Sequence, residues 1–551
     1  MKRLTSYIEE KNQLSPNQGG FIKGKSTSDH IFLLQTVIEK VVNKGKRQLF
    51  AAFIDFKKAY DTVDRDLLLD RLKFLGINGP FLQNITAMYQ KTMYSIKLNK
   101  GYLTPINSNL GLKQGCPLSP MLFNLYIDDT NQIFGDQCDP IEFQGEKLSH
   151  FLYADDLVIL SQTENGLQNA LDNLYAYSEQ KCLSISIKKS KTMIFNNGGR
   201  LIKRYFKINN KLLEPVQTFC YLGFDVKASG TVKQAMHTLY DKANKAMRPL
   251  LHSIARFNLP VKTSLSLFHA YISPIVLYNA ENWMAFTDKQ IQNFTSDSIL
   301  EHITNSKVDI LHRKFLKYAL GVSSACPNLC MYGETNETPL SLKGLRLMLN
   351  FWQRIMYLPD TTLVKKALLE NIALRTNWII TIEKLLGNLA LTDKIENSVA
   401  FKKTAKNSLQ SKFNGYWCNA VAADMNKLLF YKSIKNKLEF ETYLNISAFE
   451  HRKAIAKLRC SDHSLQIEKG RHKKIPRESR FCNLCPLKAI ETEDHFLTTC
   501  TFFYRFRHKY DLQNIADAKT LVLNTDQNAL GKYMCEAFAE RKKYKEWFGL
   551  D

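Results

Sequence analysis

The segment Phe151-Leu152-Tyr153-Ala154-Asp155-Asp156-Leu157-Val158-Ile159-Leu160 sets two adjacent carboxylates between two apolar runs. The flanks are rich in β-branched and aromatic residues, so they read as two strands with the acids in the tight turn of a hairpin. Two negative charges at one hairpin tip are costly unless something positive offsets them. Magnesium is the natural candidate, because it is a hard cation that takes carboxylate oxygens and keeps positions for phosphates. Turns favour Asp for backbone reasons as well, so the pair by itself is an ordinary turn sequence. Its weight comes from the rest of the chain.

A third acid lies upstream. Leu49-Phe50-Ala51-Ala52-Phe53-Ile54 is an apolar run that ends at Asp55. Beyond it, Leu67, Leu68, Leu72 and Leu75 recur at helical spacing up to Gly76. Asp55 is therefore expected at the C-terminal end of a strand, before a turn into a helix. A turn or helix-capping aspartate is the simple reading. The sharper reading brings Asp55 beside Asp155 and Asp156 in one sheet, where three carboxylates could hold two magnesium ions about 3.5–4 Å apart for in-line phosphoryl transfer. Between these blocks, Gly111-Leu112-Lys113-Gln114-Gly115-Cys116-Pro117-Leu118-Ser119-Pro120 has the composition of a loop, and Met121 to Ile127 is expected as an amphipathic helix. Glycine permits close approach of backbone to a substrate, and Gln114 offers an amide.

Taken in this order, Phe53 to Asp61, Gly111 to Pro120 and Tyr153 to Asp156 resemble the reverse transcriptase of non-LTR (LINE-type) retrotransposons, particularly the jockey-like group. Asn17-Gln18-Gly19-Gly20-Phe21 through His30 resembles the family's fingers motif. Leu183 to Thr192 resembles its lysine-bearing motif, and Phe219-Cys220-Tyr221-Leu222-Gly223 its primer-grip turn. The resemblance is dense to about residue 226 and looser beyond.

The resemblance implies an α+β, right-hand polymerase fold. Residues 1–226 would form fingers and a palm built on an antiparallel sheet, and 227–345 a helical thumb and connector. Residues 346–475 would be a basic helical region, and 476–551 a small C-terminal zinc-knuckle module. It implies an RNA-directed DNA polymerase extending a primer 3′ end on an RNA template with two Mg²⁺ ions. Asp55, Asp155 and Asp156 would be the metal ligands, assisted by the Phe56 carbonyl. Tyr60 would be a steric gate against ribonucleotides. Gln114 and Gly115 would line the incoming nucleotide, Lys189 or Lys191 would attend the pyrophosphate, and Tyr221, Leu222 and Gly223 would grip the primer. The implied partners are an RNA template, a DNA primer or target, and dNTPs, in the nucleus with a cytoplasmic ribonucleoprotein stage.

Departures from the family pattern are also visible. Lys23 and Lys25 stand where many relatives carry arginine, and lysine lacks the bidentate phosphate fork. Ser186 replaces a common asparagine. Roughly twenty residues precede Gly20, so the expectation is a chain lacking the N-terminal endonuclease and part of the fingers. The alternative function is a catalytically inactive nucleic-acid-binding relic of such an element.

The 551 residues carry 76 Lys or Arg against 52 Asp or Glu, a formal charge of +24. That excess points to a polyanionic partner and salt-dependent binding. No run of eighteen apolar residues occurs, so no membrane span is expected. Twelve cysteines in so long and lysine-rich a chain read as thiols and metal ligands rather than a disulfide framework. Cys326 and Cys330 read as ordinary core or loop thiols. Cys482, Cys485, His495 and Cys500 have the spacing C-x2-C-x9-H-x4-C, which suits one structural Zn²⁺ with four protein ligands. The same block resembles the zinc-binding tail of the family. Upstream, His451 to Arg480 holds ten Lys or Arg against three acids, a basic arm suited to RNA.

Overall fold

Every residue of Leu49–Ile54 is buried, and this run is the middle strand, β1, of a five-stranded sheet. A fully buried Leu, Ile or Phe side chain contributes about 1.5–3 kcal/mol, so so apolar a strand sits in the centre. The other strands are β2 (His150–Tyr153), β3 (Asp156–Ser161), β4 (Lys191–Phe195) and the short β5 (Glu214–Pro215), in the order β5-β4-β1-β3-β2. The sheet is antiparallel except at its edge, where β4 and β5 run parallel. A further hairpin, β6 (Thr218–Tyr221) and β7 (Phe224–Lys227), turns through Leu222 and Gly223, both at positive φ.

The computed structural model describes residues 2–548 apart from Asn12, Lys91 and Lys100. The chain divides into two compact units, neither of them a single stretch. One comprises Met1–His237, Glu281–Phe286 and Asn350–Glu383; the other comprises Thr238–Ala280, Thr287–Leu349 and Lys384–Asp551.

In the first unit, helix α1 (Arg65–Phe74) follows β1. Asp64 caps it, its Oδ1 accepting from the backbone N–H of Asp66 and Leu67 at 2.9 and 3.0 Å. The helix-capping role open to Asp55 is therefore filled by Asp64. Helix α2 (Ser119–Ile127) corrects the amphipathic expectation: every residue from Met121 to Ile127 is buried, because the helix passes through the core rather than along its surface. Helix α3 (Glu164–Gln180) packs on the sheet through Leu167, Leu171 and Leu174.

The second unit is helical. Its longest helix wholly within the unit, Ser398–Ala423, buries Phe401, Ala405, Leu409, Phe413, Trp417 and Val421, an unbroken i, i+4 stripe. Asn397 starts that helix by accepting from the N–H of Val399 and Ala400. Helices at Val261–Tyr271 and Ser273–Val276 lie on either side of Ile272, with Pro274 in the first turn of the second. Cys326 and Cys330 are buried thiols, the first donating to the Cys460 carbonyl at 3.7 Å. Among the described residues, no helix is long and apolar enough to cross a membrane.

Candidate active site and candidate metal centre

The registers of the central sheet bring three distant acids together. Ile54 pairs with Leu157, so the next step of that ladder sets Asp55 across from Asp156. Directly opposed positions of an antiparallel pair have Cβ atoms about 4.5–5.5 Å apart. Tyr153 pairs with Asp156, which leaves Ala154-Asp155 as a two-residue turn. The expected Asp-Asp turn is thus shifted by one residue: Asp155 sits in the turn and Asp156 opens β3.

The cluster is short of positive charge. Burial raises the Asp155 carboxyl above the usual range, with the Asp55 charge adding to the effect. Burial among neighbours, then the charges of Asp155 and Asp55, push Asp156 up to about 6, although its side chain is exposed enough for solvent to temper this. Lys189 is the cation that opposes them, its Nζ 3.4 Å from either oxygen of Asp55. Asp55 Oδ2 is shielded from solvent and accepts no hydrogen bond beyond that long ion-pair contact. Lys191 is engaged elsewhere, on Glu214 at 2.7 Å and the Lys188 carbonyl at 2.6 Å. Of the two lysines left open by the sequence, Lys189 is the one beside the acids.

The backbone of Asp55 is held from the lysine-bearing segment. Ser190 Oγ accepts from Asp55 N–H at 3.1 Å, and Ser186 N–H donates to the Asp55 carbonyl at 2.8 Å. Phe56 is buried and bridges Ile185. Tyr60 stacks on Phe123, with centroids 4.6 Å apart. Its hydroxyl is buried without a hydrogen-bond partner, and its pKa is raised by burial and by the charge of Asp155. Tyr221 is buried in the β6–β7 hairpin against Phe53 and Phe151. Burial and the Asp156 charge raise its pKa.

Gln114 and Gly115 lie on another wall. Gln114 Nε2 donates to Asp61 at 3.0 Å and lines a cleft of about 580 Å³ with Lys113, Thr92, Met93 and Tyr94. Gly115 has φ +82° with open space where a side chain would be. Sequence reading missed the group that sets this loop. Arg65 is buried, and its guanidinium donates to the carbonyls of Tyr89, Ser108, Leu110 and Gly111.

A second missed residue is Gln18, quoted within the fingers motif but given no role. It is buried. Its Oε1 accepts from Ala154 N–H and Gly20 N–H, each at 2.8 Å, and its Nε2 donates to the Ala154 carbonyl at 3.3 Å. Ala154 has φ 56°, a left-handed conformation that disfavours a Cβ. Gln18 therefore pins the strained residue immediately before Asp155. Gly20 must remain glycine, since a Cβ there would meet Ala154 N at 2.2 Å. Lys25, expected near phosphates, donates to the carbonyls of Gln18 and Pro16 instead. No local pattern reveals the Gln18 contact, because its partner is 136 residues away.

The C-terminal Cys/His set converges as its spacing anticipates. The four donor atoms of Cys482, Cys485, His495 and Cys500 lie within 4.8 Å of one another. The Cys482 and Cys500 sulfurs are 4.0 Å apart, and Cys485 Sγ is 3.4 Å from His495 Nε2. A tetrahedral zinc with Zn–S of about 2.3 Å separates its donors by about 3.7 Å. His495 Nδ1 meets Thr499 Oγ1 at 3.1 Å, so Nε2 is turned to the sulfurs. Phe503 belongs to the local core, against Phe496, whereas Tyr504 is exposed. Part of the basic arm is spent inside the fold. Arg480 donates to the carbonyls of Ile475 and Ile467, and Arg471 pairs with Glu468, while Lys473, Lys474 and Arg477 are exposed.

Residues 1–226 match the family model described as reverse transcriptase (RNA-dependent DNA polymerase). The chain is 27% identical over 361 residues to a Pol polyprotein of a type-1 R2 retrotransposable element from Popillia japonica, covering 63% of this chain and 46% of that protein. It is 26% identical to an R2 protein of Nasonia vitripennis, covering 45% of this chain and 25% of that one. It is 22% identical to a probable RNA-directed DNA polymerase from transposon BS of Drosophila melanogaster, covering 51% and 31%. The chain thus spans less than half the length of these relatives. An apo telomerase structure from Candida tropicalis covers 73% of this chain and 60% of its own at 12% identity, with a TM-score of 0.36.

Proposed function

We propose that this chain, whose residues 1–226 are a reverse transcriptase domain of the non-LTR retrotransposon type, is an RNA-directed DNA polymerase that extends a primer 3′ end on an RNA template. The observation that carries the reading is the meeting of Asp55 with the Tyr153–Asp156 hairpin in one sheet, with Lys189, alone among the described residues, to offset the acids. The all-oxygen donor set and the under-bonded Asp55 Oδ2 fit a hard divalent cation. Asp55 and Asp155, with Asp156 and the Phe56 carbonyl beside them, would hold two Mg²⁺. Bound there, the ions would activate the primer hydroxyl and neutralise charge on the leaving pyrophosphate.

The remaining roles belong to side chains. Tyr60, its ring fixed on Phe123 and its hydroxyl feeling the Asp155 charge, walls off the space a ribose 2′-hydroxyl would need. Lys189 supplies positive charge, and a proton, at the pyrophosphate side of the acids. Gln114 and Lys113 line the nucleotide cleft, whose volume lies in the range of small-molecule sites, and Gly115, next in the chain, leaves room for the incoming nucleotide. The Tyr221-Leu222-Gly223 turn grips the primer end. The helices from Lys233 onward serve as thumb and connector, 346–475 as a basic helical region, and 476–551 as a zinc-knuckle module. Lys473, Lys474 and Arg477 contact RNA phosphates. The template RNA, the DNA primer or target and dNTPs are the partners, in the nucleus after a cytoplasmic ribonucleoprotein stage.

Extension of oligo(dT) on poly(rA) with dTTP and Mg²⁺ tests this. The expected result is extension by the wild type and none by Asp155→Asn. Absence of extension with any divalent ion, alongside salt-sensitive RNA retention, would leave the non-catalytic RNA-binding reading instead.

A further inference from the structure

The helical second unit contains another group of metal-type ligands, separate in sequence and chemistry from the cysteine set. His269 lies on helix Val261–Tyr271 and His312 on helix Lys307–Leu320. Glu337 lies in the loop after helix Asn328–Thr335. One donor atom from each falls within 4.8 Å of the others. Glu337 Oε2 is 2.9 Å from His269 Nε2 and 3.6 Å from His312 Nε2.

His312 is the informative member. Its side chain is wholly buried, and neither ring nitrogen has a hydrogen-bond partner. Leaving both nitrogens of a buried imidazole without partners is costly, so an arrangement that leaves it bare calls for an explanation. Its ring is fixed by stacking on Phe268, with centroids 5.1 Å apart and planes 18° apart. That packing aims Nε2 toward the Glu337 carboxylate.

We propose that His269, His312 and Glu337 form a second transition-metal site, which binds a zinc-type divalent cation through two imidazoles and one carboxylate. The donors decide the class of ion. Two nitrogens and one oxygen suit zinc, whereas magnesium takes oxygens. Bonds of about 2.0–2.2 Å to tetrahedral zinc set such donors about 3.3 Å apart, which falls between the two separations to Glu337. Two neighbouring cations work against the ion. Lys343 donates to Ser273 Oγ at 3.2 Å, and Arg313 is turned to the Thr304 carbonyl and the Tyr332 hydroxyl. Their charges reach His312, so this site should release metal more readily than the cysteine set. The ion would tie two helices and a loop of the second unit together. Three protein ligands also leave a fourth position for water.

Zinc content of the purified full chain, dialysed against buffered Zn²⁺, tests the proposal alongside Cys482→Ser, His312→Phe and Glu337→Gln. His312→Phe keeps an aromatic ring on Phe268, and Glu337→Gln, at a part-exposed loop position, guards against misfolding in the core. The expected result is two ions per chain in the wild type. His312→Phe and Glu337→Gln should each lose one ion, and Cys482→Ser should lose the other. Cobalt substitution identifies which is which: the ion lost with His312 should show ligand-field bands without thiolate-to-metal charge transfer. If only the cysteine reading fails, the wild type retains one ion that His312→Phe removes and Cys482→Ser does not. A single ion abolished by Cys482→Ser and untouched by His312→Phe would overturn the proposal. So would a second ion indifferent to both His312→Phe and Glu337→Gln.

Discussion

Two sets of buried or crowded carboxylates, one in each unit, are treated in opposite ways. In the second unit Glu334 is fully buried, and its charge is completely answered. Arg459 meets it through Nε at 2.7 Å and Nη2 at 3.1 Å, and the Tyr443 hydroxyl donates at 2.7 Å. Burial alone would raise the Glu334 carboxyl, but the guanidinium charge and its hydrogen bonds bring it below the usual range. Arg459 also reaches Glu441, which pairs with Lys435. In the first unit Asp55, Asp155 and Asp156 have, among the described residues, Lys189 alone, 3.4 Å from Asp55, and the two hairpin acids are pushed upward. One set is a finished structural ion pair. The other is held in mutual repulsion by a rigid sheet, which is how sites that recruit a cation are built.

The contrast breaks most visibly at Asp155. Asp155→Asn should abolish primer extension by about 10³-fold or more, since even one neutral donor lost from an electrostatic site removes about 10²–10³. The same change should leave the melting temperature unchanged or raise it, because it relieves like-charge repulsion. Steady-state extension and thermal unfolding of one preparation check both halves. Arg459→Met should do the reverse to its carboxylate. Stranding Glu334 should destabilise the chain by about 3–5 kcal/mol, read by denaturant unfolding. Replacing both partners, Glu334→Leu with Arg459→Met, should recover much of that loss.

Smaller effects refine the first half of the comparison. Gln18→Met keeps the length of the side chain but releases the Ala154 backbone. It should lower the extension rate by about 10- to 10²-fold, the scale of a displacement of about 1 Å at a reacting centre, without weakening RNA retention. A rate equal to wild type would remove Gln18 from the positioning of Asp155.

The smallest effect is a pH slope. The folded-state pKa of Asp156 is about 6, above the unfolded value of about 3.9. The folded chain therefore binds the extra proton between these values, and metal-free stability should fall as pH rises from about 4 to about 6, then level off. Solvent screening of this exposed carboxylate keeps the slope shallow. Asp156→Asn should flatten it, and Mg²⁺ should suppress it, in thermal melts across that range.

The central sheet was legible because its signals are local. Leu49–Ile54 is apolar at every position and Asp55 follows it, which reads directly as a strand ending at that acid. The Cys/His spacing likewise leaves little freedom, and its four donors do converge. What escaped depends on long-range partners or on burial that composition conceals. Met121 to Ile127 was expected to show a polar face, but the core encloses it on all sides. Gln18 and Arg65 act on backbone far from their own positions, so nothing beside them in sequence marks them. In the basic arm, charge counting cannot separate Arg459 and Arg480, which are spent inside the fold, from Lys474 and Arg477, which face solvent.

The central claim is that Asp55 and the Tyr153–Asp156 hairpin together bind divalent cations. Anomalous scattering from crystals of the chain grown with Mn²⁺, template-primer and a non-hydrolysable dNTP tests it most directly. The account predicts Mn²⁺ peaks in contact with both Asp55 and Asp155, lost in Asp155→Asn. Ordered nucleic acid in the cleft with no peak at these carboxylates would contradict it.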